Sequence, residues 1–315
     1  MVRGMLCLGA AAMLTAAGPV GAQDGAAIRP ADRNGTLVQV QPIASRHTAS
    51  PRLTLWLPRG YPAPRTRYRV LYMPDGQNLF DPKLSGYGKV WGADVTAQRL
   101  IDEGAAKPFI IVGTWNAEGD RYRTYLPDSL YRAAKGQERA EMVRSADSKP
   151  VISAGYLRYL TSELKPWVDR NYRTLPGPSD TAIMGSSMGG LISVEALAKY
   201  PRVFGRAGAL SIHWPMGDPR TMNSEGAGMK ALWKTYLTRT LGAPRGRRLW
   251  IDRGTATLDQ YYGPYFERGV ESLKAAGWRQ GKDFRAEVYH GTEHDERAWA
   301  ERLDEVLAWL WSDDG

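Results

Sequence analysis

The chain has 315 residues, 43% of them hydrophobic, and a formal net charge of +9. Its single cysteine, Cys7, lies in an N-terminal stretch that reads as a leader, so the mature chain has no disulfide, thiolate metal site or cysteine nucleophile. The basic residues are interleaved with acids. Even the densest cluster, Arg245-Gly246-Arg247-Arg248, reads as solvated surface, and no nucleic-acid partner is expected.

In chain order, the leader comes first. Arg3 is the only charged side chain before Gln23, Leu6 to Ala17 is an apolar core, and Val20-Gly21-Ala22 is a small-x-small cleavage site. Residues 1–22 are thus expected to be a signal peptide, and the mature protein to be periplasmic or secreted. The apolar core is too short to span a membrane, and no later stretch reaches about 18 apolar residues. Removal of Arg3 takes the charge from +9 to +8, and residues 36–315 suffice for one large domain.

Residues 23–35 are polar and dotted with Gly and Pro, a flexible lead-in. Thr36 to Ala44 and Arg52 to Leu57 alternate as an antiparallel strand pair. Arg69 to Met73 is a strand that stops at Pro74-Asp75-Gly76-Gln77-Asn78, and Trp91 to Gly104 has helical spacing. Phe109 to Gly113 is a buried, parallel-type strand. From Trp115 to Lys149 there is little regular pattern, and a site rim is expected. Tyr156 to Tyr172 reads as a helix interrupted at Pro166. Strands follow at Ala182 to Gly185, Arg206 to Ser211, Arg248 to Asp252 and Phe284 to Tyr289. Helices follow at Met229 to Leu241, Tyr265 to Gly277 and Arg297 to Trp311. The alternation predicts an α/β fold, a mainly parallel central sheet with an antiparallel N-terminal pair and helices on both faces.

One stretch points to chemistry. Gly185-x-Ser187-x-Gly189 ends an apolar run and opens a helix, the pattern of the nucleophile elbow of α/β-hydrolases. The helix behind Ser187 directs its free N–H groups at the place where an oxyanion would form. A serine needs a base, and the chain has four histidines. His47 and His213 come too early for the order Ser, acid, His. His290 ends the last strand, whereas His294 lies in the loop Gly291 to Glu296 at the carboxyl edge of the sheet, where a base can reach Ser187. The acid belongs in the loop from Asp252 to Asp259, and both ends qualify. Asp252 terminates a strand that fixes its direction, and Asp259, further along, can bend over the edge, which favours Asp259. Trp115, Asn116, His213 and Trp214 follow strands at that edge and are expected as substrate-facing walls. Asp75 is expected to fix its own loop. Eleven tryptophans and sixteen tyrosines suit a carbohydrate or aryl ligand. No metal is expected, because H-E-x-x-H, helically spaced histidine pairs and cysteine ligands are all missing. No dinucleotide or phosphate-loop pattern suggests a cofactor.

Together, Leu71 to Phe80, Gly113-Thr114-Trp115-Asn116, Gly185 to Gly190, Gly254-Thr255 with Leu258-Asp259, and Gly291 to Glu296 with Trp299 resemble the Putative esterase family. These α/β-hydrolases are related to enterobactin esterases and to the acetylxylan and feruloyl esterases of carbohydrate esterase family one. The resemblance runs from about residue 36 to the end. It implies a serine carboxylic-ester hydrolase with Ser187 as nucleophile, His294 as base, Asp259 as acid, and the backbone N–H groups of Met188 and Gln77 as the oxyanion hole. Related sequences often carry Arg-x-x-Glu-Tyr after Trp-Asn; here Thr124 stands in place of the acid. Siderophore, carbohydrate and simple acyl or aryl esters are open as substrates. An acyltransferase using a sugar acceptor and a binding protein on a hydrolase scaffold are the alternatives.

Overall fold

In the computed structural model, residues 25–312 are described, apart from 87, 117–118 and 221–225. The expected signal peptide lies outside the described residues, as do residues 23 and 24 of the expected lead-in. Nine strands form one sheet: β1 (Gly25–Asp32), β2 (Gly35–Val40), β3 (Leu53–Leu57), β4 (Arg69–Pro74), β5 (Phe109–Thr114), β6 (Thr181–Ser186), β7 (Arg206–Leu210), β8 (Arg248–Arg253) and β9 (Phe284–Val288). Their order is β1-β2-β3-β5-β4-β6-β7-β8-β9. The first three run antiparallel to their neighbours, and β5 through β9 pair in parallel. The lead-in is therefore not free, because residues 25–32 form the edge strand β1.

Alternation along the central strands builds two cores, since successive side chains point to opposite faces. Val70, Tyr72, Ile110, Val112 and Ile183 face one side, and Leu71, Met73, Phe109, Ile111, Ala182 and Met184 face the other. The second side is covered by α1 (Ala93–Asp102) and the closing helices. The first is covered by α2 (Arg121–Tyr125), α3 (Asp128–Ala133), α4 (Gly136–Ser145), α5 (Ser153–Arg158), α6 (Lys165–Asn171), α7 (Met188–Lys199), α8 (Ala227–Thr235) and α9 (Gly263–Ala275). Three of these, α2 to α4, occupy the stretch expected to be irregular. The helix expected to break at Pro166 runs on: a π-helical segment, Tyr159–Leu164, joins α5 to α6, and the proline falls in the first turn of α6. Proline has no N–H to give to the ladder, and the change of hydrogen-bond register in the π-helical segment falls just before it.

The closing helix is two pieces, α10 (Glu296–Glu301) and α11 (Leu303–Trp311), broken at Arg302, whose φ and ψ are −113° and 6°. The break turns the Arg302 guanidinium onto Asp252, with bonds of 2.8 and 3.2 Å and both side chains almost wholly buried. Asp252 also accepts from the Trp250 indole at 2.9 Å and the Ser211 backbone N–H at 3.0 Å.

In the basic cluster near β8 Arg245 is exposed, but Arg247 and Arg248 are buried rather than solvated. Arg247 donates to the carbonyls of Leu197, Leu241 and Ala243, and Arg248 to those of Trp309 and Ser312. Arg69 and Arg206, at the starts of β4 and β7, bond the carbonyls of Trp311 and Leu310. Three strand starts thus present guanidinium groups to the carboxyl end of α11, where unpaired carbonyls and the helix dipole favour cations.

Because Asp252 is fully enclosed, losing its partner strands a charge. Arg302→Met is expected to lower the unfolding free energy by about 3–5 kcal/mol in urea titration. A loss below about 1 kcal/mol would show that Asp252 has found another partner or a proton.

Candidate active site

Ser187 sits between β6 and α7 with φ 55° and ψ −119°, a left-handed conformation that a non-glycine residue rarely adopts. The crossing is tight: a Cβ on Gly185 would lie 2.8 Å from both the Gly189 carbonyl carbon and Pro74 Cγ, so only glycine fits. The Ser187 N–H donates to the Leu210 carbonyl at 2.9 Å, and its carbonyl accepts from His213 N–H at 3.3 Å. These bonds fasten the turn to the end of β7. The Met188 N–H, first in α7, precedes any intrahelical acceptor, whereas those of Gly190 and Leu191 donate to the Ser187 carbonyl at 3.1 and 3.2 Å.

The second strained turn follows β4. Asp75, at φ 59°, leads into a 3₁₀ turn of Gly76–Asn78 that carries Gln77. A Cβ on Gly76 would come within 2.6 Å of the Gly113 carbonyl carbon, so this turn rests directly on β5. Asp75 indeed fixes its own loop. Its carboxylate accepts from Arg121 Nε at 2.9 Å and Nη2 at 2.7 Å and from the Asn116 amide, while its N–H donates to the Tyr125 hydroxyl at 3.1 Å. Arg121 comes from α2, in the segment where the resemblance departs from the family pattern. Thr124, in place of the acid, bonds back to the Asp120 carbonyl within α2. Nearby, Glu296 accepts from the Asn78 amide at 3.2 Å. Burial raises its pKa, and the charges of Asp295 and Asp75 add to the rise.

Asp259, rather than Asp252, meets His294. The His294 Nδ1–Asp259 Oδ1 distance is 2.6 Å, with the carboxylate fully enclosed and the imidazole 8% exposed. Asp259 lies in a 3₁₀ turn, Thr257–Tyr261, after β8, and the His294 N–H donates to Thr257 Oγ1 at 2.8 Å. The other carboxylate oxygen, Oδ2, accepts from Ser211 Oγ at 2.6 Å and Gly254 N–H at 2.5 Å. Burial alone would raise the Asp259 pKa, but the bonds from His294, Ser211 and Gly254 outweigh it, and the net shift is downward. The His294 ring is seated edge-on against Trp299 and Tyr262, with centroids 5.1 and 5.7 Å away.

His213 is half-buried, and its Nδ1 lies 2.6 Å from the Tyr262 hydroxyl. Burial, then repulsion from His294 and Arg121, pulls its pKa down to about 3, so it is a neutral ring at physiological pH. A run of contacts therefore links the two halves of the site: Ser187 to His213, His213 to Tyr262, and Tyr262 to His294. Asn116 is spent on Asp75, and Trp115 lines a neighbouring cavity. Trp214 is no site wall. It is 1% exposed, packs 4.7 Å from Trp233 and fills the space left by Gly269. The direction of the chain after His213 carries it into the core. Ser211 gives no local signal in the sequence, and Arg121 stands in the family motif without an indication of its partner. Among the described residues, no three His, Cys, Asp or Glu side chains are grouped to hold a metal ion, and no helix is long and apolar enough to cross a membrane.

Residues 45–310 match the family model described as Putative esterase. The chain is 27% identical over 269 residues to the uncharacterized protein YbbA of Bacillus subtilis (strain 168), covering 85% of this chain and 95% of that one. It is 25% identical over 294 residues to an endo-1,4-beta-xylanase/feruloyl esterase of Xylanibacter ruminicola, covering 91% of this chain but 33% of that longer protein. Among solved structures, an IroE-like serine hydrolase from Shewanella oneidensis superposes with a TM-score of 0.63 at 20% identity, covering 86% of this chain and 79% of that one. The enterobactin esterase FES from Shigella flexneri gives 0.60 at 16% identity, covering 91% and 60%. Structures at such identities speak for the fold, and the family match speaks for descent: the chain belongs to the Putative esterase family and has the α/β-hydrolase fold.

Proposed function

We propose that the protein is a periplasmic or secreted serine esterase that hydrolyses carboxylic esters through Ser187, His294 and Asp259. The observation that carries this reading is the 2.6 Å contact between His294 Nδ1 and Asp259, at the same sheet edge as the strained Ser187 turn. With Nδ1–H donated to a carboxylate, Nε2 is the free basic nitrogen. In the proposed reaction, Ser187 Oγ attacks the ester carbonyl while His294 Nε2 takes its proton. The N–H groups of Met188 and Gln77 receive the negative charge of the tetrahedral intermediate. Collapse expels the alcohol, which takes the proton from His294. Water, activated by the same imidazole, then releases the acid and restores Ser187. Asp259 holds the ring in one tautomer and stabilises the imidazolium. The paired glycines and the family match support Ser187 over Ser186, which is buried at the end of β6.

Ser187→Ala is expected to lower kcat for 4-nitrophenyl acetate on the order of 10⁶-fold and to abolish fluorophosphonate labelling, with the circular-dichroism spectrum unchanged. Labelling that persists on Ser186 by peptide mapping would overturn the assignment.

Asp259→Asn is expected to cost on the order of 10³–10⁴ in kcat with little change in KM, because the amide leaves the imidazole in the wrong tautomer. Asp252→Asn is expected to act on the denaturation midpoint instead, since Asp252 bonds Arg302 and Trp250. Kinetics and melting of both variants decide the matter, and the reverse pattern would make Asp252 the acid.

A further inference from the structure

Past Gln77 the wall of the site continues into a cavity of about 680 Å³, between the turn after β4 and the outer strands β1 to β3. That volume is in the range of a small-molecule subsite. Trp115, Phe80, Leu37 and Leu84 give it an apolar lining, and Gln77 belongs to it as well as to the strained turn.

Three charged side chains line this space. Arg29 is answered by Asp94 at 2.6 Å and Asp32 at 3.4 Å. Asp81 accepts the Lys83 N–H at 2.9 Å and, among the described residues, has no cationic partner, so an anion would have to sit at the Arg52 side of the space. Arg52 is different. Its guanidinium lies 5.0 Å from the Trp115 ring centroid, and among the described residues it has no carboxylate partner and no hydrogen-bond acceptor. The ring covers one face of the guanidinium and leaves its N–H edge available.

The tryptophan of the pair is anchored, and Arg52 reaches past it from an exposed position. Arg52 and Trp115 continue the antiparallel β3–β5 ladder, with the Trp115 N–H donating to the Arg52 carbonyl at 2.9 Å. The indole N–H donates to Thr54 Oγ1 at 3.0 Å, and the Thr54 hydroxyl in turn bonds Gln39 at 3.2 Å. An apolar slot whose rim carries a guanidinium that no carboxylate answers is complementary to a flat ring bearing an acidic oxygen.

We propose that this cavity is a subsite for an anionic aryl group of the ester, its ring between Trp115 and Phe80 and its acidic oxygen on Arg52. The inference rests on the esterase reading above and specifies the substrate class of that same site. The anionic ring belongs either to the acid or to the alcohol part of the ester, and two matched pairs of substrates separate these. Monoethyl terephthalate and ethyl 4-methylbenzoate differ in charge on the acid side; 4-acetoxybenzoate and 4-methylphenyl acetate differ on the alcohol side.

The full chain and its Arg52→Gln and Arg52→Lys variants are assayed on all four. In one pair, Arg52→Gln is expected to lower the anionic-to-neutral ratio of kcat/KM about tenfold, through KM, and Arg52→Lys to restore part of it. Ratios that Arg52→Gln leaves unchanged in both pairs would overturn the subsite. If the wild-type protein hydrolyses none of the four esters, the esterase reading is what fails. Calorimetric titration with monoethyl terephthalate then judges the cavity alone: a Kd weakened about tenfold by Arg52→Gln upholds it, and equal or absent binding rejects it.

Discussion

A single buried hydroxyl organises the acid side of the site. Ser211 Oγ receives N–H bonds from the Trp299 indole at 3.0 Å and from Arg302 at 2.9 Å. Both partners can only donate, so the one hydroxyl hydrogen must go to Asp259 at 2.6 Å. No lone pair or proton is left over. The same residue gives its backbone N–H to Asp252 and holds φ at 44°. Two enclosed carboxylates and one guanidinium thus share a serine, and the direction of each follows from the others. A fully satisfied polar network of this kind is rigid, whereas a half-satisfied one would be costly in so dry an interior.

The opposite wall meets a different electrostatic demand. The turn proposed to receive developing negative charge is flanked by the carboxylates of Asp75 and Glu296. Left alone, they would repel an oxyanion. Arg121 cancels the nearer one through a two-pronged contact, and burial holds Glu296 towards its neutral form. The guanidinium that neutralises Asp75 also pins the turn bearing Gln77, so charge balance and geometry come from one side chain.

How far the sequence revealed this depends on the range of the forces involved. Buried strands such as Phe-Ile-Ile-Val announce themselves, and the glycine spacing around Ser187 reflects a local collision that any fold with this corner must avoid. The edge strand β1 was obscured because it carries Pro30 and slips register twice along β2; proline is tolerated only at such edges. Helix α4 buries little beyond Glu141 and Met142, too little to print a helical period on the sequence. The break at Arg302 falls inside an unbroken helical pattern, because its cause, Asp252, is fifty residues away. Ser211 has partners 41 to 91 residues distant, and nothing beside it in the chain hints at them. The meeting of Asp259 with His294 could be reasoned from loop reach; the burial of Trp214 could not, since an aromatic after a strand points inward or outward by tertiary packing alone.

The guanidinium groups at the starts of β4, β7 and β8 all wait on the carbonyls of α11. In vectorial synthesis this helix is the last described element to emerge. Without it, Arg69 would keep Asp180 and Arg206 the Ser179 carbonyl, but the carbonyls that draw the three strand starts together would be gone. The final turn of helix therefore clasps one end of the central strands, and amide exchange at those strand starts reports on whether it is docked.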